Sequence, residues 1–220
     1  MTVIEFNFND DWMGEIGLRL GDLNDKTPDV ISQATNSTAR KARKLIVQSL
    51  REHYAEDAKT KEYNAAMKIA RASRKKYDAT IYIRGKVQNL RRFNVSPKDP
   101  PASGSSRPPT TRAQVLLQGG LKELNKGGIK AFITTFKNGD VVVAQRNGSF
   151  YTYHRPTGGI DRHHEAIDKL WSISIPKMAE SQLDPKTVRG NMRDTIQAIL
   201  VEEIEKQIAR QLAKHGGNAG

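Results

Sequence analysis

Residues 27–54, TPDVISQATNSTARKARKLIVQSLREHY, form the stretch that decides how this chain folds. At its start, Thr27 suits the N-cap of a helix, Pro28 suits the first helical turn and Asp29 complements the helix dipole. At 100° per residue, this stretch predicts a long amphipathic helix whose cations form a row about 16 Å long. The side predicted to be buried carries Ile31, Ala34, Thr38, Ala42, Leu45 and Ser49, and the opposite side carries Arg40, Arg43, Lys44 and Arg51.

Two shorter elements are predicted before this helix. Residues 3–8 alternate between apolar and polar side chains, which is typical of a short strand. Asp10 or Asp11 then suits the N-cap of a short helix whose apolar side chains repeat at helical spacing. Those apolar side chains are Trp12, Ile16 and Leu20.

The segment after the long helix mixes helical and extended patterns. Residues 60–69 are predicted to form a second short helix. Residues 79–85 alternate and are rich in β-branched side chains, which predicts a strand, and residues 90–95 are its predicted partner. Residues 96–111 contain five prolines and no large apolar side chain, so we expect an extended inserted loop there.

The second half of the chain begins with strand patterns. Strands are predicted over residues 113–117, 129–136 and 141–146. The Asn138-Gly139 pair predicts a hairpin turn between the last two of these strands. The polar residues 149–165 are expected to be irregular.

A long C-terminal helix is predicted over residues 184–215, because Asp184-Pro185 suits a helix start and an apolar stripe follows. The predicted fold class is therefore α+β, with a long N-terminal helix packed on a small, mainly antiparallel sheet and a long C-terminal helix. We expect residues 1–220 to form a single domain with residues 96–111 as a Pro-rich inserted loop. The apolar stripe of the C-terminal helix consists of Val188, Met192, Ile196, Ile199, Leu200, Ile204 and Ile208.

The positive charge of the chain, formally +12, is concentrated in its middle. Residues 40–92 hold sixteen basic and five acidic side chains, a net charge of +11. Residues 1–39, in contrast, hold two basic and seven acidic side chains, a net charge of −5. Such segregation points to a polyanionic neighbour, either nucleic acid or an acidic protein surface. The alternative is a solvated basic face that only keeps the protein soluble.

The cations of the middle segment are the strongest candidate binding site. They would contact phosphates or carboxylates without distinguishing base sequence. No helix-turn-helix, zinc-finger or RNP pattern is present, so sequence-specific DNA recognition is not expected. The candidate contacts with DNA or an acidic partner are Arg40, Lys41, Arg43, Lys44, Arg51, Arg71, Arg74, Lys75 and Lys76.

No pattern of catalytic or cofactor-binding residues is present. The chain has no cysteine, which excludes thiolate chemistry and cysteine-bound zinc. The run His163-His164-Glu165 is interpreted as a solvated polar turn, because adjacent side chains diverge and rarely hold one metal ion. We therefore expect no enzymatic activity, no cofactor and no metal. The sequence has no run of about 18 apolar residues, so no membrane-spanning helix is predicted.

Five groups of short motifs follow one another along the chain. In this order they resemble the phage minor tail protein Z family, also described as tail completion proteins, over about residues 20–180. The family's opening is an Ala-x-Asn-x-Thr-Ala run followed by a basic helix. The matching stretches are residues 20–23 (LGDL), 34–43 (ATNSTARKAR), 71–93 (with RAS, DATI and LRRF), 130–146 (with KAFI, KNG and Arg146) and 174–178 (SIPKM).

This resemblance implies a structural virion protein at the head-proximal end of the tail, the neck, that acts in tail completion and head–tail joining. It implies other neck and tail proteins as partners, such as the tail tube, terminator or connector. It also implies a homo-oligomeric ring, commonly hexameric, around the DNA channel, in a protein made in the host cytoplasm and located in the virion, with no membrane partner. The cationic helix face would then contact either genomic DNA in the channel or an acidic neighbour in the ring.

The chain departs from the family pattern at three places. Ser172-Ile173 stand where the family usually has Gly-Pro, and residues 96–111 and 149–165 are longer than usual. These departures concern loop contacts more than the fold. An alternative interpretation rests on charge alone: a free, non-sequence-specific nucleic-acid-binding protein, whose affinity for duplex DNA falls steeply as salt rises.

Overall fold

A computed structural model of the 220-residue chain describes residues 1–6, 10–57, 60–101, 109–153, 162–184 and 191–216. The chain divides into two compact units. Unit 1 is built from Met1–Leu50, Lys59–Lys86 and Ser174–Gly220, and unit 2 is built from Arg51–Ala58 and Val87–Ile173. The single domain expected over residues 1–220 stays a prediction.

Unit 1 combines five helices with one three-stranded sheet. A 3₁₀ helix over Gly21–Lys26 joins the first two helices, and the last three residues of the second helix belong to unit 2. The elements of unit 1 are β1 (Thr2–Phe6), α1 (Asp10–Leu20), α2 (Thr27–His53), α3 (Thr60–Ala66), β2 (Met67–Ala70), β3 (Ala79–Ile83), α4 (Ile175–Leu183) and α5 (Asn191–Gly216).

The long helix α2 confirms the prediction from its sequence. Its predicted apolar side is buried at Ile31, Ala34, Thr38, Ala42 and Ser49, whereas Leu45 is half-buried. Two hydroxyl groups on this side donate hydrogen bonds that satisfy them inside the core: Thr35 Oγ1 to the carbonyl of Ile31 at 2.8 Å, and Ser49 Oγ to Gln182 Oε1 of α4 at 2.8 Å.

The first part of α2 packs against α1 and α5 in one apolar cluster. Burial of a large apolar side chain stabilises the folded state by roughly 1.5–3 kcal/mol, so this cluster is a main source of stability for unit 1. The long C-terminal helix and the α1 stripe are thereby confirmed as core elements, although Trp12 is only half-buried. The buried members are Ile16, Leu20, Val30, Ile31, Ala34, Leu200, Ile204 and Ile208.

The sheet of unit 1 has the order β1-β3-β2, and both pairings are antiparallel. Ile83 faces Thr2 on one side and Met67 on the other. The prediction that residues 60–69 form one helix is therefore wrong in its last part. The backbone of Met67–Ala70 bonds to β3, a partner that the local helical pattern does not reveal.

Unit 2 consists mainly of short strands. They form small sheets, and each pairing whose register is described is antiparallel. Short 3₁₀ helices lie at Leu90–Arg92 and Leu117–Gly119. The strands are β4 (Val87–Asn89), β5 (Asn94–Ser96), β6 (Arg112–Gln114), β7 (Lys122–Glu123), β8 (Asn125–Lys126), β9 (Ile129–Lys130), β10 (Phe132–Thr135), β11 (Val141–Tyr153), β12 (Arg162–Lys169) and β13 (Trp171–Ser174).

The hairpin between β10 and β11 is confirmed. The amide of Phe136 donates to the carbonyl of Asp140 at 2.9 Å, and Gly139 has a φ of +84°, which glycine adopts readily. The expectation that residues 149–165 are irregular is wrong at both ends, because β11 continues to Tyr153 and pairs with β12. Residues 154–161 lie outside the described residues.

Residues 90–95 are not the partner of the strand at 79–83, and that prediction is wrong. Strand β3 is already flanked by β1 and β2, so both of its edges are occupied. Leu90–Arg92 form a 3₁₀ turn, in which the Asn89 side chain accepts the amide of Arg91 at 3.1 Å. Strand β5 then pairs with β6, with Val95 opposite Ala113.

The fold class is α+β, with two long helices and small antiparallel sheets, as the sequence predicts. Within the predicted loop 96–111, Ser96 ends β5, the described residues after it form no helix or strand, and residues 102–108 lie outside the description. The predicted start of the C-terminal helix at Asp184 is wrong, because Asp184 is the C-cap of α4, a helix that the sequence pattern does not predict. The described C-terminal helix spans Asn191–Gly216. Residues 185–190, which include Val188, are not described. Among the described helices, none is long and apolar enough to cross a membrane.

Candidate basic interface

The candidate cations fall into two segments, one on α2 and one at residues 71–76, and the second segment forms a tight turn. Ser73 and Lys76 pair across it, with the amide of Ser73 donating to the carbonyl of Lys76 at 2.6 Å and the reverse bond at 3.2 Å. The Ser73 hydroxyl also accepts the amide of Lys76 at 3.2 Å. Arg74 and Lys75 therefore occupy the tip, where both side chains are exposed.

Asn36 attaches this turn to α2. Its Nδ2 donates to the carbonyl of Ala72 at 3.0 Å, and its Oδ1 accepts the amide of Ala72 at 2.9 Å. One half-buried side chain thus satisfies both backbone groups of a residue 36 positions away in sequence. A second link joins Arg74 Nε to Asp29 Oδ1 at 3.0 Å, in the first turn of α2.

The two links bring both basic segments together on unit 1. Arg40 follows Asn36 by one helical turn, a rise of about 6 Å, and Lys44 follows Arg40 by another. Apart from the Arg74–Asp29 pair, the described part of the chain offers no ion pair to Arg40, Arg43, Lys44, Arg71, Lys75 or Lys76. We call this surface the basic patch, defined as Arg40, Arg43, Lys44, Arg71, Arg74, Lys75 and Lys76.

Arg43 differs from the other members of the basic patch. It is half-buried, and its Nε is enclosed without a hydrogen-bond partner among the described residues. The remaining six side chains are exposed. Because exposed guanidinium and ammonium groups are free to meet phosphate or carboxylate oxygens, the patch suits a polyanionic surface.

Lys41 lies apart from the basic patch, although the sequence groups it with the same cations. Its Nζ lies 2.7 Å from Glu203 Oε1 and 3.6 Å from Glu202 Oε1, both on α5. Glu203 is only 2% exposed, so its carboxylate is enclosed at the α2–α5 contact. Lys41 therefore joins two helices of unit 1.

The Lys41–Glu203 pair shifts the titration of both groups. The adjacent Glu203 carboxylate raises the pKa of the Lys41 ammonium. Burial alone raises the pKa of the Glu203 carboxyl, but the nearby Lys41 ammonium, the Ser37 hydroxyl and the charge of Lys206 outweigh it. The Glu203 pKa therefore lies below its ordinary value of 4.5 in the folded protein.

This shift predicts how stability depends on pH. Because the folded-state pKa of Glu203 is lowered, the ionised carboxylate stabilises the folded protein above pH 4.5. This stabilisation is lost as pH falls below that value. We expect Glu203→Gln to lower the melting temperature by roughly 3 °C at pH 7, with the difference from wild type shrinking below pH 4.5. Glu202→Gln, which changes an exposed neighbour, is the control. A constant difference from pH 7 to pH 3 would contradict this role for Glu203.

Arg51, the remaining candidate, belongs to unit 2. It lines an open cavity of about 800 Å³ together with Arg91, Lys98 and Phe93. The structure therefore does not place Arg51 in the basic patch. The basic patch as defined holds seven of the nine candidate cations, Lys41 is paired with α5, and Arg51 is described with unit 2.

The link through Asn36 gives a second prediction. We expect Asn36→Ala to lower the free energy of unfolding by about 1–2 kcal/mol, because both backbone groups of Ala72 lose their partner. Hydrogen exchange of the Ala72 amide should accelerate, and trypsin should cleave the Arg71–Lys76 turn faster. Gln33→Ala, a change at an exposed position on the same helix, should leave the exchange rate of the Ala72 amide and the rate of trypsin cleavage unchanged. Unchanged exchange at Ala72 in Asn36→Ala would show that the turn is held by other contacts.

Two residues that organise this site were missed from the sequence. Asn36 stands inside the ATNSTARKAR stretch, where a polar side chain among small ones was a signal of a specific contact. Glu203 falls on the buried side of α5 between Leu200 and Ile204, where a carboxylate requires a partner. Both signals were local, but neither identifies the partner.

The chain matches a known protein family. The family model described as Prophage minor tail protein Z (GPZ) matches residues 19–215. This span contains all the motifs on which the resemblance rests. No curated protein and no solved structure matches the chain.

Proposed function

The chain belongs to the prophage minor tail protein Z family, and from this premise we propose that it completes the phage tail at its head-proximal end and joins the tail to the head. Its family makes it a structural component of the phage tail, and hence of the virion. In this proposal the protein is made in the host cytoplasm and has no catalytic role. The observation that carries the proposal is the family match over residues 19–215.

The proposed partners are the other proteins of the neck and tail, namely the tail tube and a terminator or connector. We further propose that several copies form a ring, commonly hexameric in such proteins, around the DNA channel. Closed rings built from one kind of subunit are a usual solution for a structure that must surround a channel. The basic patch supports this proposal, because a neck protein lies beside packaged DNA and beside other subunits.

Within this assembly, the basic patch is proposed to contact a polyanionic surface. The patch holds seven cations, and only one of them, Arg74, pairs with a described carboxylate. Their mutual repulsion is relieved when phosphate or carboxylate groups approach. Packaged DNA and an acidic protein neighbour both offer such groups.

The proposal is tested with tails purified from a phage that lacks this chain. We expect these tails not to join purified heads, and the added protein should restore joined particles seen by electron microscopy. The mass of the protein bound to tails, measured by native mass spectrometry after release, should be a multiple of the monomer. Tails that join heads equally well without the protein would overturn the proposal.

A second candidate function is free, non-sequence-specific binding of nucleic acid. The observation that favours it is the same basic patch on the isolated chain. It requires tight binding of duplex DNA by the monomer, with log Kd rising steeply with log salt concentration. If the monomer binds DNA in this way and does not bind tails, this second function replaces the first. Weak binding that does not depend on salt removes it.

A further inference from the structure

Unit 2 has an open cavity that the proposed function does not use. Its volume of about 800 Å³ lies in the range of clefts that bind ligands. The described residues that line it all belong to unit 2, so the cavity is formed within one compact unit. Three of them, Arg51, Arg91 and Lys98, are exposed cations. We call this space the unit 2 cavity.

Distant parts of the chain hold the backbone of this cavity in place. Residues 54–57, which directly follow α2, contribute to its lining. The amide of Ala55 donates to the carbonyl of Val115 at 2.9 Å, and the amide of Asp57 donates to the carbonyl of Arg92 at 2.7 Å. These bonds fix the segment to two other parts of unit 2, so the shape of the cavity is set before a ligand arrives.

The exposed charge of the unit 2 cavity is positive. Of the two carboxylates in its lining, Glu56 has a side chain with 0% exposure, and its Oε1 lies 3.1 Å from Arg92 Nε. Asp57 is therefore the one exposed carboxylate among the described lining residues, against three cations. Arg91 Nη2 also lies 3.6 Å from Asp99 Oδ1, but the Asp99 side chain is 84% exposed. Exposed pairs of this kind contribute little, so a ligand carboxylate can replace Asp99.

Hydrogen-bond acceptors and an apolar side chain accompany the cations. Asn94 Nδ2 donates to Gln114 Oε1 at 2.7 Å, and Gln114 Nε2 donates to the carbonyl of Leu117 at 2.7 Å. No described residue donates to Asn94 Oδ1 or pairs with the Asp57 carboxylate, so both are available to N–H groups of a ligand. Leu117 is 48% exposed and adds an apolar surface to the lining.

A peptide segment matches this mixed lining better than nucleic acid does. Its acidic side chains suit the cations, its backbone N–H groups suit the acceptors, and an apolar side chain suits Leu117. A phosphodiester backbone offers oxygen acceptors and no N–H donor, and it would place like charge against Asp57. A space of about 800 Å³ is about 9 Å wide if its dimensions are equal, which is the length of roughly three extended residues.

We propose that the unit 2 cavity binds a short, extended acidic segment of a neighbouring protein chain, with at least two carboxylates and one apolar side chain. The carboxylates bind the three cations, the apolar side chain packs on Leu117 and a backbone N–H donates to Asn94 Oδ1. The basic patch belongs to unit 1, so the cavity is a separate site for a partner. The inference goes beyond the proposed function, and the isolated 220-residue chain is enough to test it.

The first experiment measures the binding of a defined peptide by fluorescence anisotropy. The probe is fluorescein-labelled Asp-Leu-Asp-Leu-Asp with blocked ends, and Asn-Leu-Asn-Leu-Asn with the same label is its counterpart without carboxylates. We expect the acidic peptide to bind at least about tenfold more tightly, because its carboxylates meet the cations of the cavity. Equal affinity of the two peptides would refute the proposal.

Variants of the lining locate the peptide on the protein. Arg91→Ala combined with Lys98→Ala should weaken binding of the acidic peptide about tenfold, because two of the three cations are lost. Leu117→Ala, which changes no charge, should weaken it about threefold through the loss of apolar contact. Melting curves test whether these variants are folded, and if the double variant is unfolded, Leu117→Ala decides alone. Unchanged binding in the folded variants would place the peptide elsewhere and overturn the proposal.

Two controls each remove two exposed cations outside the cavity. One combines Lys122→Ala with Lys126→Ala in unit 2, and the other combines Lys44→Ala with Lys75→Ala in the basic patch. Binding of the acidic peptide to each control should stay within about twofold of wild type, because exposed charges at a distance are screened by salt. A control that weakens binding as much as the cavity variant would show that the peptide follows total charge or the basic patch, against the proposal.

The last experiment tests nucleic acid as the alternative occupant. Unlabelled pentathymidylate, a single strand of five nucleotides, is added to the wild-type protein with the labelled peptide bound. We expect it to displace the peptide at least about tenfold less effectively than the unlabelled acidic peptide does. Equally effective displacement would mean that the cavity holds any anion, and the proposal would be wrong. None of these measurements uses tails, so their failure leaves the proposed function standing, and failure of head–tail joining leaves this inference standing.

Discussion

Ile204→Ala is expected to lower the free energy of unfolding by about 3 kcal/mol, the usual cost of removing most of a buried isoleucine. Ile204 is 2% exposed and lies in the cluster where α1, α2 and α5 meet. Three helices supply its neighbours, so no single element can shift to fill the cavity. A loss of this size corresponds to a decrease of roughly 6–12 °C in the melting temperature.

Thermal unfolding followed by circular dichroism measures this change. The matched control is Val201→Ala, which alters a β-branched residue on the same helix at a position 41% exposed. We expect its melting temperature to differ from wild type by no more than about 2 °C. If the two variants lose similar stability, α5 does not pack in the cluster as the structure describes.

The second large effect concerns assembly. The triple variant Arg40→Glu, Lys44→Glu and Lys75→Glu reverses three exposed charges of the basic patch. Under the proposed function, we expect it to join heads to tails at least about tenfold less efficiently than wild type, because like charges then face the proposed polyanionic neighbour. The variant should still fold, since these side chains form no ion pair with a described residue.

A variant with the same change in net charge separates the patch from the overall charge. Lys122→Glu, Lys126→Glu and Lys214→Glu also reverse three exposed cations, but outside the basic patch. We expect this control to join heads and tails nearly as well as wild type. Counting joined particles by electron microscopy gives the comparison, and melting curves confirm that both proteins are folded. An equal loss in the two variants would mean that total charge, and not this patch, matters.

The elements that were predicted correctly carry their signals locally. Helix α2 has a long amphipathic pattern that outweighs any other local preference. The predicted N-cap role of Thr27 is wrong, because Thr27 is itself helical and its hydroxyl donates to Asn24 Oδ1 of the preceding 3₁₀ helix. The β10–β11 hairpin follows from Asn138-Gly139. In both cases the residues that determine the structure are within a few positions of one another.

The elements that were mispredicted depend on distant partners. Met67–Ala70 continue a helical pattern but pair with β3, and Leu90–Arg92 resemble a strand but form a turn closed by Asn89. The candidate site also combines a part that local sequence predicts and a part that depends on distant residues. Charge alone identifies the basic residues, but Lys41 belongs with Glu203, which is more than 160 positions later in the chain. Tertiary contacts of this kind override local preference.

Unit 1 is built from segments near both ends of the chain, and this affects when it can fold during synthesis. Arg19 and Glu205 are 186 residues apart in sequence, yet α1 and α5 share one apolar cluster. At about 5–20 residues per second, a ribosome needs roughly 10–40 s to make the chain between them. During that interval Ile16 and Ile31 lack the apolar side chains of α5. Only a chain translated to its last helix can complete unit 1, so prematurely terminated copies cannot form the surfaces on which assembly would depend.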